Sequence, residues 1–233
     1  VMEGTHGGFP PGESYQILGH EAVGVVENAP DETVSSGDVV VPTVRRPREA
    51  PAPADLDMAP PGTYVERGIE GAHGYMAEYV TTPVEYLIQL PPALASRGIL
   101  VEPLSNVEKA IEHACASRSA FDWTPTAGFV LGNGPLGLLA LARLHTGSEV
   151  SELYCLGRRS RPDPTIDIIE RLGATYVDSR ETPLSEVPDT YESMDLVLEA
   201  TGVPEHAFDT IETLAPGGVG ALLGLPTDET IEI

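Results

Sequence analysis

The chain has 233 residues, 36 of them acidic against 13 basic, and a formal net charge of -23 with His neutral. So acidic a surface repels nucleic acid and anionic membrane, and no apolar run approaches the ~18 residues of a membrane span. Hydrophobic residues make up 41% of the chain, too many for a disordered polyelectrolyte, and its like charges are screened once the Debye length shrinks to ~3 Å near 1 M salt; the composition reads as a folded protein adapted to high salt.

The first half predicts short strands broken by Gly and Pro: Ala22 to Val26, Asp38 to Val41 and Tyr86 to Leu90. These read as a compact β domain. Its most distinctive phrases are Gly19-His20-Glu21-Ala22-Val23-Gly24-Val25-Val26 and Gly37-Asp38-Val39-Val40-Val41-Pro42. The Pro- and Ala-rich segment from Pro47 to Pro61 reads as a surface lobe or loop. Cys115 and Cys155 are far apart in sequence, so no disulfide framework is implied and a reducing cytoplasm is the expected compartment.

The pattern changes between Pro91 and Leu104, which divides the chain into expected domains at 1–100 and 101–233. Beyond the switch, the apolar strand ending at Leu131 runs into Gly132-Asn133-Gly134-Pro135-Leu136-Gly137 and then into a helical apolar pattern. In a Gly-x-Gly-x-x-Gly turn the first glycine allows the tight bend, the second lets backbone amides approach a pyrophosphate, and the third lets helix and strand pack closely. The helix N-terminus adds unpaired N–H groups and partial positive charge. Further strands are expected at Leu153 to Leu156, Thr175 to Val177, Leu196 to Ala200 and Val219 to Leu223, with helices at Ile166 to Leu172 and Glu205 to Leu214. A turn from Ala215 to Gly218 should separate the last helix from the last strand. This alternation of apolar strands and helices predicts an α/β fold with a doubly wound parallel sheet, a dinucleotide-binding domain.

About 20 residues past such glycines, NAD-selective sites place an Asp or Glu on the ribose hydroxyls. This chain has Gly157-Arg158-Arg159 there instead. Guanidinium groups cannot accept those bonds, but they grip a 2′-phosphate through charge-assisted contacts, so NADP is expected in preference to NAD. Arg161 reads as a solvated neighbour.

Together these phrases resemble the zinc-containing medium-chain alcohol and polyol dehydrogenases. Within that superfamily, Val41 to Arg46, Gly71 to Tyr75, Val101-Glu102-Pro103 and Leu156 to Arg159 resemble the archaeal glucose dehydrogenases, the salt-adapted ones in particular. The resemblance implies a GroES-like β-rich catalytic domain followed by a Rossmann domain. It implies that His20 binds the catalytic zinc, that Glu102 supplies a further carboxylate to metal and substrate, and that Glu21 contributes beside them. If the backbone at Glu21 is extended, its side chain faces away from His20 and reaches the metal only through a turn or a water, or alternates with a water molecule as a mobile ligand. Glu66 matches a family position that hydrogen-bonds sugar hydroxyls, and Leu223, Gly224 and Leu225 match the end of the cofactor site. Taken singly, these residues have ordinary roles as a core histidine, surface acids or a helix-start acid.

Many family members hold a structural zinc on four thiolates, but Val44 to Thr63 contains no cysteine, so none is expected here. The family's first metal ligand and proton-relay residue are expected upstream of Val1, and its last Rossmann strand and the returning catalytic segments beyond Ile233. The reaction implied is zinc-dependent oxidation of an aldose at C1, glucose foremost, to the lactone, with hydride transfer to NADP. Alternatives are a zinc alcohol or polyol dehydrogenase of other specificity and a non-catalytic NADPH-binding protein of the same fold. A homo-oligomer, dimer or tetramer, is expected.

Overall fold

The computed structural model describes residues 6–29, 33–49, 56–121, 123–147, 150–187, 191 and 194–225. The chain divides into two units, Val1–Glu102 and Pro103–Ile233. The middle of the expected lobe, residues 50–55, and the stretch after Leu225 lie outside the described residues.

The first unit is built from two small sheets. Strands β1 (Gly24–Val25), β2 (Val39–Pro42) and β6 (Leu87–Leu90) form one antiparallel sheet in the order β1-β2-β6. Strands β3 (Arg45–Pro47), β4 (Tyr64–Arg67) and β5 (Gly71–Ala72) form the other, with β3 and β4 antiparallel and β4 and β5 parallel. The strand expected from Ala22 is shorter than its apolar run: Gly24 and Val25 pair opposite Val40 and Val39, and Val26 already closes the turn, donating to the Asp38 carbonyl at 2.9 Å and accepting the Gly37 N–H at 2.8 Å. A 3-10 stretch, Pro92–Leu100, leads into helix α1 (Val101–Ser117).

The second unit is a five-stranded parallel sheet in the order β11-β10-β7-β8-β9. Its strands are β7 (Ala127–Leu131), β8 (Glu152–Gly157), β9 (Thr175–Asp178), β10 (Met194–Glu199) and β11 (Leu214–Leu222). Helices α2 (Pro135–Gly147), α3 (Pro164–Arg171) and α4 (Glu205–Thr213) connect them. Strand alternation sends Val130, Cys155, Leu196 and Leu198 into a core with Ile111 of α1 and Leu141 and Leu144 of α2. Phe129, Leu131, Leu156 and Val197 go to the opposite face with Val177 and Met194. Each such fully buried side chain contributes about 1.5–3 kcal/mol, which is why nearly every position of the inner strands is apolar.

One expectation is corrected. The residues Ala215 to Gly218 do not separate helix from strand but lie within β11: Met194 already pairs with Leu214, and the ladder resumes at Leu196 opposite Val219. The extra residues bulge out of register, and Gly217 absorbs the bend with φ of +85°.

The strand order reverses beside β7, whose neighbours are β8 on one side and β10 on the other. In such sheets ligands bind outside the carboxyl ends of the strands at this switch point. Gly132 and Ala200 follow the ends of β7 and β10, and the Ala200 N–H donates to the Leu131 carbonyl at 2.9 Å.

Candidate metal centre and cofactor site

In the first unit, the segment leading to His20 runs beside the segment after β5. The N–H groups of Gly74, Tyr75 and Met76 donate to the carbonyls of Ile17 (2.7 Å), Gly19 (2.8 Å) and Leu18 (3.0 Å). Gly19 has φ of +91°, and a Cβ on Gly68 or Gly74 would lie 2.4 or 2.3 Å from its carbonyl oxygen. Only bare backbone lets these strings close on one another, and that closure fixes where His20 leaves the chain. The imidazole of His73 locks the same junction: Nδ1 accepts the Ile17 N–H at 3.1 Å, so Nε2 carries the proton and donates to Glu13 Oε2 at 2.9 Å.

Glu102 stands in the first turn of α1, where a helix N-terminus favours a carboxylate. The 3-10 stretch before it packs through Gly98, where a Cβ would meet Val23 Cγ2 at 2.7 Å and Leu90 Cδ1 at 2.9 Å. This docking carries Glu102 toward the loop that holds His20 and Glu21.

The ligand atoms of His20, Glu21 and Glu102 all lie within 4.8 Å of one another. Glu21 therefore does not face away: residues 20 and 21 lie outside any strand, β1 begins only at Gly24, and the strict alternation of an extended strand does not apply. One imidazole and two carboxylates are a donor set that zinc accepts. Ligand atoms on a single zinc lie about 3–4 Å apart, so small side-chain rotations suffice to bring these three onto one ion.

Glu66 is not among the clustered side chains. It sits on β4 directly opposite Arg45 of β3, and Arg45 Nε donates to its Oε1 at 3.0 Å. The Arg45 guanidinium also covers the Tyr64 ring, 4.3 Å from its centroid.

In the second unit the three glycines of the turn do different work. Gly132 has φ of +109° and donates its N–H to Leu156 at 2.9 Å. A Cβ on Gly134 would meet nothing within 4 Å, so bare backbone faces open space there. On Gly137 it would lie 1.9 Å from the Gly132 carbonyl oxygen. Pro135 opens α2, and the N–H groups of Leu136 and Gly137 in its first turn have no intrahelical acceptor. These features fit a pyrophosphate held on backbone amides. Asn133 is buried, and its Nδ2 donates to Thr165 Oγ1 at 2.9 Å.

Arg158 and Arg159 follow β8 and are exposed. The Arg159 N–H donates to the Tyr176 hydroxyl (2.9 Å), which donates in turn to the Arg159 carbonyl (2.8 Å). Arg159, Arg161, Tyr176 and Arg180 line a pocket of about 380 Å³. Arg161 is paired with Glu170, and Arg180 with Asp178.

Beyond β11, the N–H groups of Leu223 and Gly224 both donate to the Glu199 carbonyl, at 2.7 and 3.0 Å. A Cβ on Gly224 would lie 2.2 Å from Gly202 N, and one on Gly202 would lie 2.4 Å from the Leu225 carbonyl oxygen. The Glu199 carboxylate is itself buried and accepts the Gly202 N–H at 3.0 Å and the Thr201 hydroxyl. Sequence reasoning missed Glu199 and Thr201; the acid at the end of an otherwise apolar strand was the available signal.

A two-domain chain with an imidazole and carboxylate cluster in one unit and a Gly-x-Gly-x-x-Gly turn in the other has the build of an alcohol-dehydrogenase-type oxidoreductase. Residues 1–92 match the alcohol dehydrogenase GroES-like domain and residues 95–233 the glucose dehydrogenase C-terminus, and the chain belongs to that glucose dehydrogenase family. It is 58% identical to glucose 1-dehydrogenase of Haloferax mediterranei, over all of this chain and 67% of the relative. The glucose 1-dehydrogenase of Halobacterium salinarum is 60% identical over 97% of this chain and 65% of its own. The structure of Haloferax mediterranei glucose dehydrogenase in complex with NADP, Zn and gluconolactone superposes with a TM-score of 0.94 at 58% identity, over 100% of this chain and 67% of that one. The chain thus spans about two thirds of the length of the curated relatives it matches.

Proposed function

We propose that this chain catalyses zinc-dependent oxidation of D-glucose at the C1 hydroxyl to the lactone, with NADP as hydride acceptor. The observation that carries this reading is the convergence of His20, Glu21 and Glu102. The relatives support it: those of Haloferax mediterranei and Halobacterium salinarum are glucose 1-dehydrogenases, and the former was solved with NADP, Zn and gluconolactone.

His20 and Glu102 are the residues proposed to hold the metal, with Glu21 as a third, more exposed ligand. When bound, zinc supplies Lewis-acid polarisation of the sugar hydroxyl and the nicotinamide supplies a hydride acceptor. The protein's part is positioning. Glu102, at the start of α1, accepts from a sugar hydroxyl or the metal, and Glu66, braced by Arg45, accepts from a further hydroxyl. Gly132 to Gly137 seat the pyrophosphate, Leu223 to Leu225 border the nucleotide, and Arg158 and Arg159 hold the 2′-phosphate. No helix among the described residues is long and apolar enough to cross a membrane; we place the protein in the cytoplasm, as a dimer or tetramer.

The test is initial-rate NADPH formation in molar salt with glucose, galactose, xylose and simple alcohols, before and after chelation. The expected result is a chelator-sensitive rate highest with glucose. A chelator-sensitive rate highest with another alcohol would change the substrate, and tight NADPH binding without turnover of any would make the chain a binding protein.

A further inference from the structure

The two arginines after β8 are held differently. Among the described residues, Arg158 makes no hydrogen bond or ion pair, whereas Arg159 is fixed at both backbone groups by Tyr176. The Arg159 side chain is also engaged: Nη1 donates to Asp163 Oδ2 at 3.3 Å.

Asp163 is the N-cap of α3, its Oδ1 accepting the N–H of Thr165 at 2.9 Å and the Thr165 hydroxyl as well. With its proton directed at Asp163, Thr165 Oγ1 accepts from Asn133 Nδ2. The bonds therefore run in one direction, from the Asn133 amide through the Thr165 hydroxyl to the Asp163 carboxylate, which receives Arg159 on its other oxygen. The Thr165 bonds keep that carboxyl below its usual range, so it stays charged wherever the enzyme would work. Asn133 belongs to the pyrophosphate turn, so the chain links the two anion-binding parts of the nucleotide site. The same amide lies over Gly157, where a Cβ would meet Asn133 Cγ at 2.7 Å.

We propose that Asp163 and Thr165 are positioning residues that set cofactor choice: together they aim the Arg159 guanidinium at the 2′-phosphate and couple that aim to Asn133 in the pyrophosphate turn. The inference rests on the reading that this arginine pair grips a 2′-phosphate. A free arginine loses side-chain entropy when it binds, and a guanidinium already held in place loses less. Asp163 is a better anchor than a typical surface acid because its side chain is only 14% exposed, against 56% for Arg159.

The test measures binding of 2′,5′-ADP and 5′-AMP by calorimetry in molar salt, which needs no turnover. Asp163→Asn keeps a good helix cap and loses the charge. It should weaken 2′,5′-ADP about three- to fivefold, the scale of one part-exposed ion pair, and leave 5′-AMP unchanged. Thr165→Val should shift the ratio in the same direction and Thr165→Ser should restore it; a melting temperature near that of the parent shows that α3 remains capped. An unchanged or improved ratio in Asp163→Asn, beside a ratio lost in Arg159→Ala, overturns the positioning role alone. A ratio retained in Arg159→Ala overturns the phosphate grip itself, and the positioning role with it.

Discussion

Gly137 approaches the carbonyl of Gly132 so closely that a Cβ at position 137 would lie 1.9 Å from the oxygen. The first turn of α2 thus rests directly on the bend that ends β7. Gly137→Ala must push helix from strand, at a cost of about 1–3 kcal/mol for forced overpacking. The expected outcome is a lower melting temperature together with weaker NADP binding; a variant that binds NADP as the parent does would show that the turn relaxes freely.

Gly74 predicts a comparable effect in the first unit. A Cβ there would meet the carbonyl oxygens of Gly19 and Leu18 at 2.3 and 2.5 Å. Gly74→Ala should displace the chain that carries His20 and reduce bound zinc, measured by atomic absorption after dialysis. His20→Ala should lower zinc content and turnover together, and a zinc-loaded, active His20→Ala protein would remove this histidine from the ligand set.

Glu66→Gln removes the charge that Arg45 pairs with but keeps the shape and one carbonyl acceptor. If Glu66 accepts from a sugar hydroxyl, KM for glucose rises while zinc content stays constant. An unchanged KM would leave Glu66 with its cross-strand partner alone.

Acid stability follows from two carboxylates. The Arg180 side chain bonds Asp178 and holds its carboxyl down at about 2. Burial alone would raise Asp195, but the N–H groups of Thr126 and Ala127 and the Thr126 hydroxyl outweigh it and bring it below its usual value. Both folded values lie under the unfolded value near 3.9, so their stabilisation is full above about pH 5 and disappears as pH falls through the unfolded and then the folded values. Melting temperatures should drop across that acid range, less steeply in Asp178→Asn and in Asp195→Asn.

The two thiols should separate cleanly. Burial pushes the Cys155 thiol up to about 12, while Cys115 is exposed on α1. A thiol-specific reagent should modify Cys115 quickly and Cys155 only on unfolding, the thiolate being the reactive form.

Much of the second unit was legible because its signals are chemical as well as periodic. Glycines at 132, 134 and 137 have few other uses in that spacing, and apolar runs such as Leu196 to Leu198 fit only strands buried on both faces. The first unit was harder to read. Its strands are two to four residues long, and the opposition of Arg45 to Glu66 depends on a register that no local pattern fixes. The place of Glu21 hung on whether the backbone there is extended, which residues 20 and 21, outside any strand, are not, and the bulge in β11 was hidden because Pro216-Gly217-Gly218 also spells an ordinary turn. Asp163 as N-cap and Pro164 as first residue open α3 two residues before the expected Ile166; that the far oxygen of Asp163 reaches Arg159 depends on the path of the chain between them.

The order of strands in the parallel sheet also bears on the order of synthesis. A Cβ on Gly132 would lie 3.0 Å from Thr201 Cγ2 and 3.2 Å from the Ala200 carbonyl oxygen, so one wall of the glycine turn is made by residues that leave the ribosome long after the turn itself. β7, α2 and β8 can associate as soon as they emerge, but their sheet has a bare edge until β10 arrives to pair with β7. During that interval the nascent domain exposes Phe129, whose face of the sheet awaits Met194 and Val197, beside an unpaired strand edge, and capture by chaperones should be strongest then.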